Sequence, residues 1–360
     1  MIEIVAARLR AHRLTGPGFA TAADAVRHFG AVQSQDYPAA KWALGLRVAG
    51  ALESDVDRAF DEGALVRTHV LRPTWHFVAP EDIRWMLALS GPKLQRSLAG
   101  RYLRLELDAG TISRAHRTFE KVLEGGVALT RAELGAELRR AGIAPDGQRL
   151  PHLLASAELT ALLVSGARKG VQHTWALLEE RVPKAPALDR DEAIAELARR
   201  FFVSHGPAQL RDFVWWSGLT QAEARRGIEI SRSVLEHAEI AGAGHWFDPK
   251  LGSLRRAPAT AALLLPNFDE YTVAYADRSA ILHPQRPFRP ELFAFSSILS
   301  NVVVVGGQVS GAWRRQSGRD SLRIEVRPLA ELTASERRLV EDAGSRLGRF
   351  LRRPVDVVWL

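Results

Sequence analysis

The stretch Ala31 to Arg47, AVQSQDYPAAKWALGLR, constrains this chain more than any other, because it ends one helix, leaves two amide side chains in the gap and restarts a second helix at once. Upstream, Ala22 to Val32 carries apolar residues at Val26, Phe29 and Val32, the three-to-four spacing of an amphipathic helix that ends near Gln33. Downstream, Asp36 is a good N-cap, and Pro38 falls in the first turn of the next helix, where its missing N–H is harmless. Gln33 and Gln35 therefore sit in a connector. Two residues apart on a helix they would diverge by about 200°, whereas extended or turning backbone lets both face one cleft. The pair reads as a reaction site with no charged base. A solvated connector or a backbone cap is the plainer use of the same residues.

A chain of 360 residues with 46% hydrophobic content can bury a core and suggests two or three packed modules. It has no run of eighteen apolar residues and no signal-like amino terminus, so the expected location is the cytoplasm, associated with the nucleoid. The absence of cysteine excludes disulfides, thiolate nucleophiles and cysteine-ligated metal. The eleven histidines form no HExxH pattern, and no metal or other cofactor is expected. The net charge is +8, and lysine occurs only at Lys41, Lys93, Lys121, Lys169, Lys184 and Lys250, so the basic side chains are overwhelmingly arginine. Arginine binds phosphate bidentately and stacks on bases, which favours nucleic acid. A high-GC coding bias gives the same Arg-rich and Ala-rich composition.

A unit of short helices followed by a β-hairpin recurs along the chain. In the first, helices at Ile2–Leu14, Ala22–Val32, Pro38–Leu46 and Ser54–Asp61 lead to strands Leu65–Val70 and Thr74–Val78. In the second, Ser113–Leu123, Thr130–Ala141 and Pro151–Leu159 precede strands Leu162–Ser165 and Gln172–Leu178, with Thr130 and Glu133 spaced as a capping box. In the third, helices Asp191–Ser204, Gln209–Ser217 and Thr220–Ile230 follow the linker Pro183 to Leu188, and Thr220 and Glu223 repeat the box. Helices plus hairpin is the winged-helix plan, in which one helix enters a groove and the hairpin touches the backbone. The fold class expected is α+β, with tandem winged-helix modules at 1–105, 106–183 and 184–245 and a small β-rich subdomain at 246–360. That last part carries strands at Ala261–Leu265, Val273–Tyr275, Asn301–Val305, Gln308–Arg314 and Leu322–Val326, a tight turn at Gly306-Gly307, a closing helix at Ser335–Leu351 and a terminal strand at Val355–Leu360.

Gln33-Ser34-Gln35-Asp36 with Trp42-Ala43-Leu44, LRPTWHFV (Leu71–Val78), GPAQLRDFVWWSGL (Gly206–Leu219), LLPNFDEY (Leu264–Tyr271) and GGQVSGAWRR (Gly306–Arg315) together resemble the bacterial AlkZ/YcaQ-type family, winged-helix DNA-binding proteins that include DNA glycosylases. The similarity runs through nearly the whole chain, with the landmarks in order. In that family a Gln-x-Gln or Gln-x-Asp pair is the catalytic motif, so the resemblance implies that Gln33 and Gln35 are the catalytic residues. Between them stands Ser34, where the family usually has an aliphatic residue. It further implies excision of bulky or crosslinking N7-alkyl-guanine adducts, as in self-resistance to DNA-alkylating natural products, by a monofunctional enzyme that leaves an abasic site uncut.

The chemistry agrees with a site lacking a strong acid. An N7-alkylated guanine already carries positive charge, so the base can leave without protonation. What remains is to place a water under the anomeric carbon and favour an oxocarbenium-like transition state. Glutamine carbonyl oxygens can accept both water protons, and their dipoles face the developing cation. Positioning then dominates over proton abstraction.

Strand alternation puts Thr74, His76 and Val78 on one face and Trp75 and Phe77 on the other. The first face either looks toward the glutamine cleft, with Arg72 beside it to hold a phosphate, or packs as core around a hydrogen-bonded histidine. Lys41, Arg67, Arg168, Lys169, Arg314 and Arg315 are the candidate DNA contacts, with solvated turns as the alternative for the hairpin residues. Asp269 and Glu270 resemble a paired-carboxylate acid/base site but are discounted as one, since LLPNFDEY is a landmark of the family, with Asp269 expected instead to hold a nearby arginine such as Arg278; Trp215-Trp216 read as core. The expected partner is double-stranded DNA containing alkylated purines, bound by a monomer with no membrane and no obligate protein partner. A non-catalytic winged-helix DNA binder is the alternative function.

Overall fold

Local signals place the first elements. Thr21 accepts a hydrogen bond from the Asp24 amide at 3.1 Å and caps the helix Ala22–Phe29, which Gly30 terminates at φ +78. The chain does not stay helical to Gln33: Ala31–Gln33 is a short strand, three residues earlier than the apolar spacing suggests. Asp36 then accepts from the Ala39 amide and opens the helix Tyr37–Gly45, with Pro38 in its first turn. Both glutamines are thus off the helix.

The computed structural model describes residues 3–251, 261–318 and 321–360. Ile2, the expected start of the first helix, lies outside the described residues, as do 252–260 and 319–320 within the expected β-rich part; the helix observed is Ile4–Ala11. The chain is mixed α+β and forms two compact units, Met1–Asp57 with Ala195–Leu360, and Arg58–Ile194. No helix among the described residues is long and apolar enough to cross a membrane.

In the first unit, a five-stranded sheet runs in the order Val355–Trp359, Leu322–Pro328, Gln308–Ser317, Val302–Val305, Ala262–Leu265. Neighbours are antiparallel except the first pair, where the terminal strand adds in parallel. Gly306 and Gly307, at φ +58 and +84, make the two-residue turn between Val302–Val305 and Gln308–Ser317, a conformation that suits glycine at both places. Helix Ala334–Leu351, with a complete capping box from Thr333 and Glu336, packs on this sheet. Gly344 permits the close approach, since a Cβ there would stand 2.7 Å from Val357 Cγ2. Helices Arg190–His205, Leu210–Ser217 and Gln221–Ile230 are followed by the hairpin Glu236–Ile240 and Ala243–Phe247, and the Thr220–Glu223 box is formed.

The second unit pairs Val66–His69 with Trp75–Val78 and Leu163–Ser165 with Thr174–Leu177. Its helices Ala109–Leu123, Arg131–Arg140 and Arg149–Leu159 bury Phe119, Leu123, Leu134, Leu138, Leu153 and Leu154 together, and the Thr130–Glu133 box is complete. A 22-residue helix, Ile83–Arg104, went unread in the sequence because Gly91 and Pro92 look like a break. Gly91 lies against the Leu159 carbonyl, where no side chain fits, and the helix runs through Pro92. The strand expected at Val273–Tyr275 is corrected: Glu270–Val273 is a helical turn, because Asp269 caps it by accepting from the Tyr271 amide at 2.9 Å.

Candidate active site

Gln33 closes the strand Ala31–Gln33 with its side chain largely buried, Ser34 is fully buried, and Gln35 is exposed. The buried serine anchors the connector between two amides of opposite exposure. Asp36 divides its carboxylate: one oxygen accepts from the Ala39 amide, the other from the Asn267 side-chain amide at 3.0 Å. Asn267 in turn donates its backbone amide to Asn301 Oδ1 at 2.8 Å. Asp36, Asn267 and Asn301 line one groove with Pro38, Trp42, Trp313 and Arg315. The fold therefore brings the late basic strand to the edge of the glutamine connector, within the first unit.

Beneath the connector lies a buried polar cluster. The Gln33 amide donates to Glu270 Oε1 at 2.8 Å. Glu270 Oε2 accepts from Trp216 Nε1 at 3.0 Å and lies 3.4 Å from His205 Nε2. Next to it, Asp269 receives Arg47 through both guanidinium nitrogens at 2.8 Å, and both side chains are buried. Arg47 also donates to the carbonyls of His12 and Ala43. Burial holds the imidazoles of His12, His28 and His205 below their ordinary range, to about 4 for His28. The two carboxylates that touch the connector, Asp36 and Glu270, are thus engaged in holding it, with Gln35 exposed above and Gln33 largely buried.

Asp269 does hold an arginine, but that arginine is Arg47 and not Arg278. Arg278 instead donates to the Thr272 carbonyl and lies near the Trp215 ring. Trp216 is core; Trp215 is 47% exposed and donates to the Val273 carbonyl.

Three of the residues expected to contact DNA are engaged within the protein. Lys41 is buried and paired with Glu53 at 2.8 Å and Asp57 at 3.0 Å, because the next helix returns two carboxylates to it. Arg67 is buried, its guanidinium stacked 4.4 Å from the centre of the Trp75 ring. Arg168, at the second hairpin, folds back on Asp61 with bonds of 2.7 and 3.0 Å. Lys169 sits in an exposed pair with Glu133, where solvent screens the attraction. Arg314 is paired with Glu325 yet mostly exposed, and Arg315 is exposed. Within the second unit, His76 is fully buried with Nδ1 2.9 Å from the Thr74 carbonyl, while Arg72 and Thr74 are partly exposed. The residues the sequence did not single out for the site are Arg47 and His205; the only signal for them was the carboxylate pair in LLPNFDEY, which calls for buried donors somewhere in the chain. Among the described residues, no group of three or more His, Asp or Glu is placed to hold a metal ion.

The sequence pattern of the family described as DNA glycosylase AlkZ-like fits residues 26–350. The interstrand DNA cross-link repair glycosylase of Streptomyces sahachiroi is 24% identical over 326 residues, covering 81% of this chain and 82% of that protein. The solved structure of Streptomyces sahachiroi DNA glycosylase AlkZ shares the fold, with a TM-score of 0.78 at 22% identity, over 99% of this chain and 98% of that one. The resemblance drawn from the sequence landmarks is borne out.

Proposed function

This chain belongs to the AlkZ-like DNA glycosylase family, and from that premise we propose that it excises bulky or crosslinking N7-alkylpurine adducts from double-stranded DNA, in repair or in self-resistance to alkylating natural products. The observation that carries the reading is the off-helix Gln33-Ser34-Gln35 segment, whose neighbouring carboxylates are already engaged. Crosslinks are included because the Streptomyces sahachiroi relative is named for cross-link repair.

In the step proposed, the glycosidic bond breaks with its electron pair going to N9, which neutralises the cationic base. Water held by the two amide oxygens bonds to the anomeric carbon, and its proton passes to solvent. Both amides act by positioning and by their dipoles, so the site is selective for adducts that are already cationic. Arg314, Arg315 and Lys169 contact phosphates, with Arg72 as a further candidate, and the helix-plus-hairpin repeats act as winged-helix modules of a monomer. The product is an abasic site with no strand cleavage.

The test is excision at pH 7 from a duplex carrying one N7-alkylguanine, with abasic sites revealed by alkali. Release of free base that collapses in Gln33→Ala and Gln35→Ala at unchanged duplex affinity is the expected result. Release that persists in both variants sinks the assignment of the amides.

A further inference from the structure

We propose that Glu270 is a positioning residue for the glutamine pair, fixing the backbone of Gln33 and through it the water that Gln33 and Gln35 hold. The inference rests on the reading of that pair as the reaction site. Gln33 is the last residue of its strand, so the 2.8 Å bond from its amide to Glu270 Oε1 falls where the chain leaves regular structure for the connector. The carboxylate is itself fixed. Its second oxygen takes the Trp216 indole N–H, with His205 at 3.4 Å, and all three side chains are buried. His205 stacks on Phe201 with ring centres 4.8 Å apart. Asp269, clamped on Arg47, caps the helical turn that presents Glu270.

A buried carboxylate is an expensive way to satisfy a backbone amide, because the ion gives up its hydration; a carbonyl would serve a purely structural strand end. What a carboxylate adds is a rigid two-oxygen bridge from the connector to two helices, and negative charge behind a site where positive charge develops. The second unit holds a comparable group without a glutamine pair. Glu158 is buried, accepts the His69 amide at 3.0 Å and takes the Trp175 indole N–H at 2.6 Å. It is the internal control.

Glu270→Gln keeps the shape but has one acceptor oxygen, so its NH2 must oppose either the Gln33 amide or the Trp216 indole. The measurements are the single-turnover rate of base release from an N7-alkylguanine duplex, the duplex Kd and the thermal midpoint, for wild type, E270Q, Q33A, the E270Q/Q33A double variant and E158Q. The expected result is a rate lowered about 10- to 100-fold in E270Q, the loss that a small misplacement of reacting groups brings, at unchanged Kd. On the Q33A background E270Q should lower the rate no further, because its effect passes through Gln33. E158Q should lose thermal midpoint without losing rate. If E270Q does not fold, Trp216→Phe removes one of the bonds that fix the carboxylate and should show a smaller loss with the same dependence on Gln33. An active wild type with an unchanged rate in E270Q overturns the positioning role alone, as does a loss that adds fully to Q33A. A wild type that releases no base overturns the glycosylase assignment of the pair, and the positioning role with it.

Discussion

Removing Asp269 should destabilise the first unit far more than any surface change. In Asp269→Ala, Arg47 keeps its bonds to the His12 and Ala43 carbonyls but loses its counter-charge while still buried. Two charge-assisted bonds of 2.8 Å disappear, each worth about 1.5–3 kcal/mol, and the Tyr271 amide loses its cap. Breaking a buried pair from one side is expected to destabilise by about 3–5 kcal/mol, and the two routes to the figure agree. Urea unfolding followed by tryptophan fluorescence gives the number, since Trp216 is fully buried near the pair. The decisive comparison is Asp269→Ala with Arg47→Met in the same chain: if the damage is a stranded charge, the double variant recovers part of the loss. A single variant within about 1 kcal/mol of wild type, or a double variant worse than the sum of the singles, refutes the reasoning.

Acid should weaken the same unit. His12, His28 and His205 are held below the ordinary histidine range by burial, and the unfolded chain takes up protons below about 6.5. Stability is therefore full above that pH and declines as pH falls toward 4, with His28 alone contributing about 3 kcal/mol over the window; His28→Gln should flatten the slope of unfolding free energy against pH. Arg315→Ala should lower duplex affinity and reduce the slope of log Kd against log salt by about 1. Lys41→Met should leave that slope alone and lower stability by about 1–3 kcal/mol, because Glu53 and Asp57 are left facing each other. Gly344→Ala should lower the thermal midpoint, by about 1–3 kcal/mol of stability, through the clash with Val357.

What the sequence disclosed was mostly local. The boxes at Thr130–Glu133 and Thr220–Glu223, the Asp36 cap and the Gly306-Gly307 turn all formed, since each is decided by residues within a few positions of one another. The off-helix placement of Gln33 and Gln35 was legible for the same reason. The support of the site was not. Arg47 meets Asp269 across 222 positions and Gln33 meets Glu270 across 237, and no periodicity announces such pairs. The pairing of Lys41 was not legible either, because its carboxylates lie on the following helix, out of reach of any spacing rule for a single element. The helix Ile83–Arg104 was hidden by a proline that its turn accommodates.

The first unit closes only when Met1–Asp57 meets Ala195–Leu360. A ribosome that has released residues through Ile194 has made everything the second unit contains, while the amino-terminal segment still lacks the sheet, Trp216 and Glu270 that complete its fold. The second unit can therefore fold early, as domains do during synthesis. The glutamine connector must wait for almost the whole chain, with the entropy of closing a long loop set against its assembly. Assembly of the connector is thus a late event in the life of each molecule, and a chain halted short of Glu270 has the glutamine pair without the carboxylate beneath it.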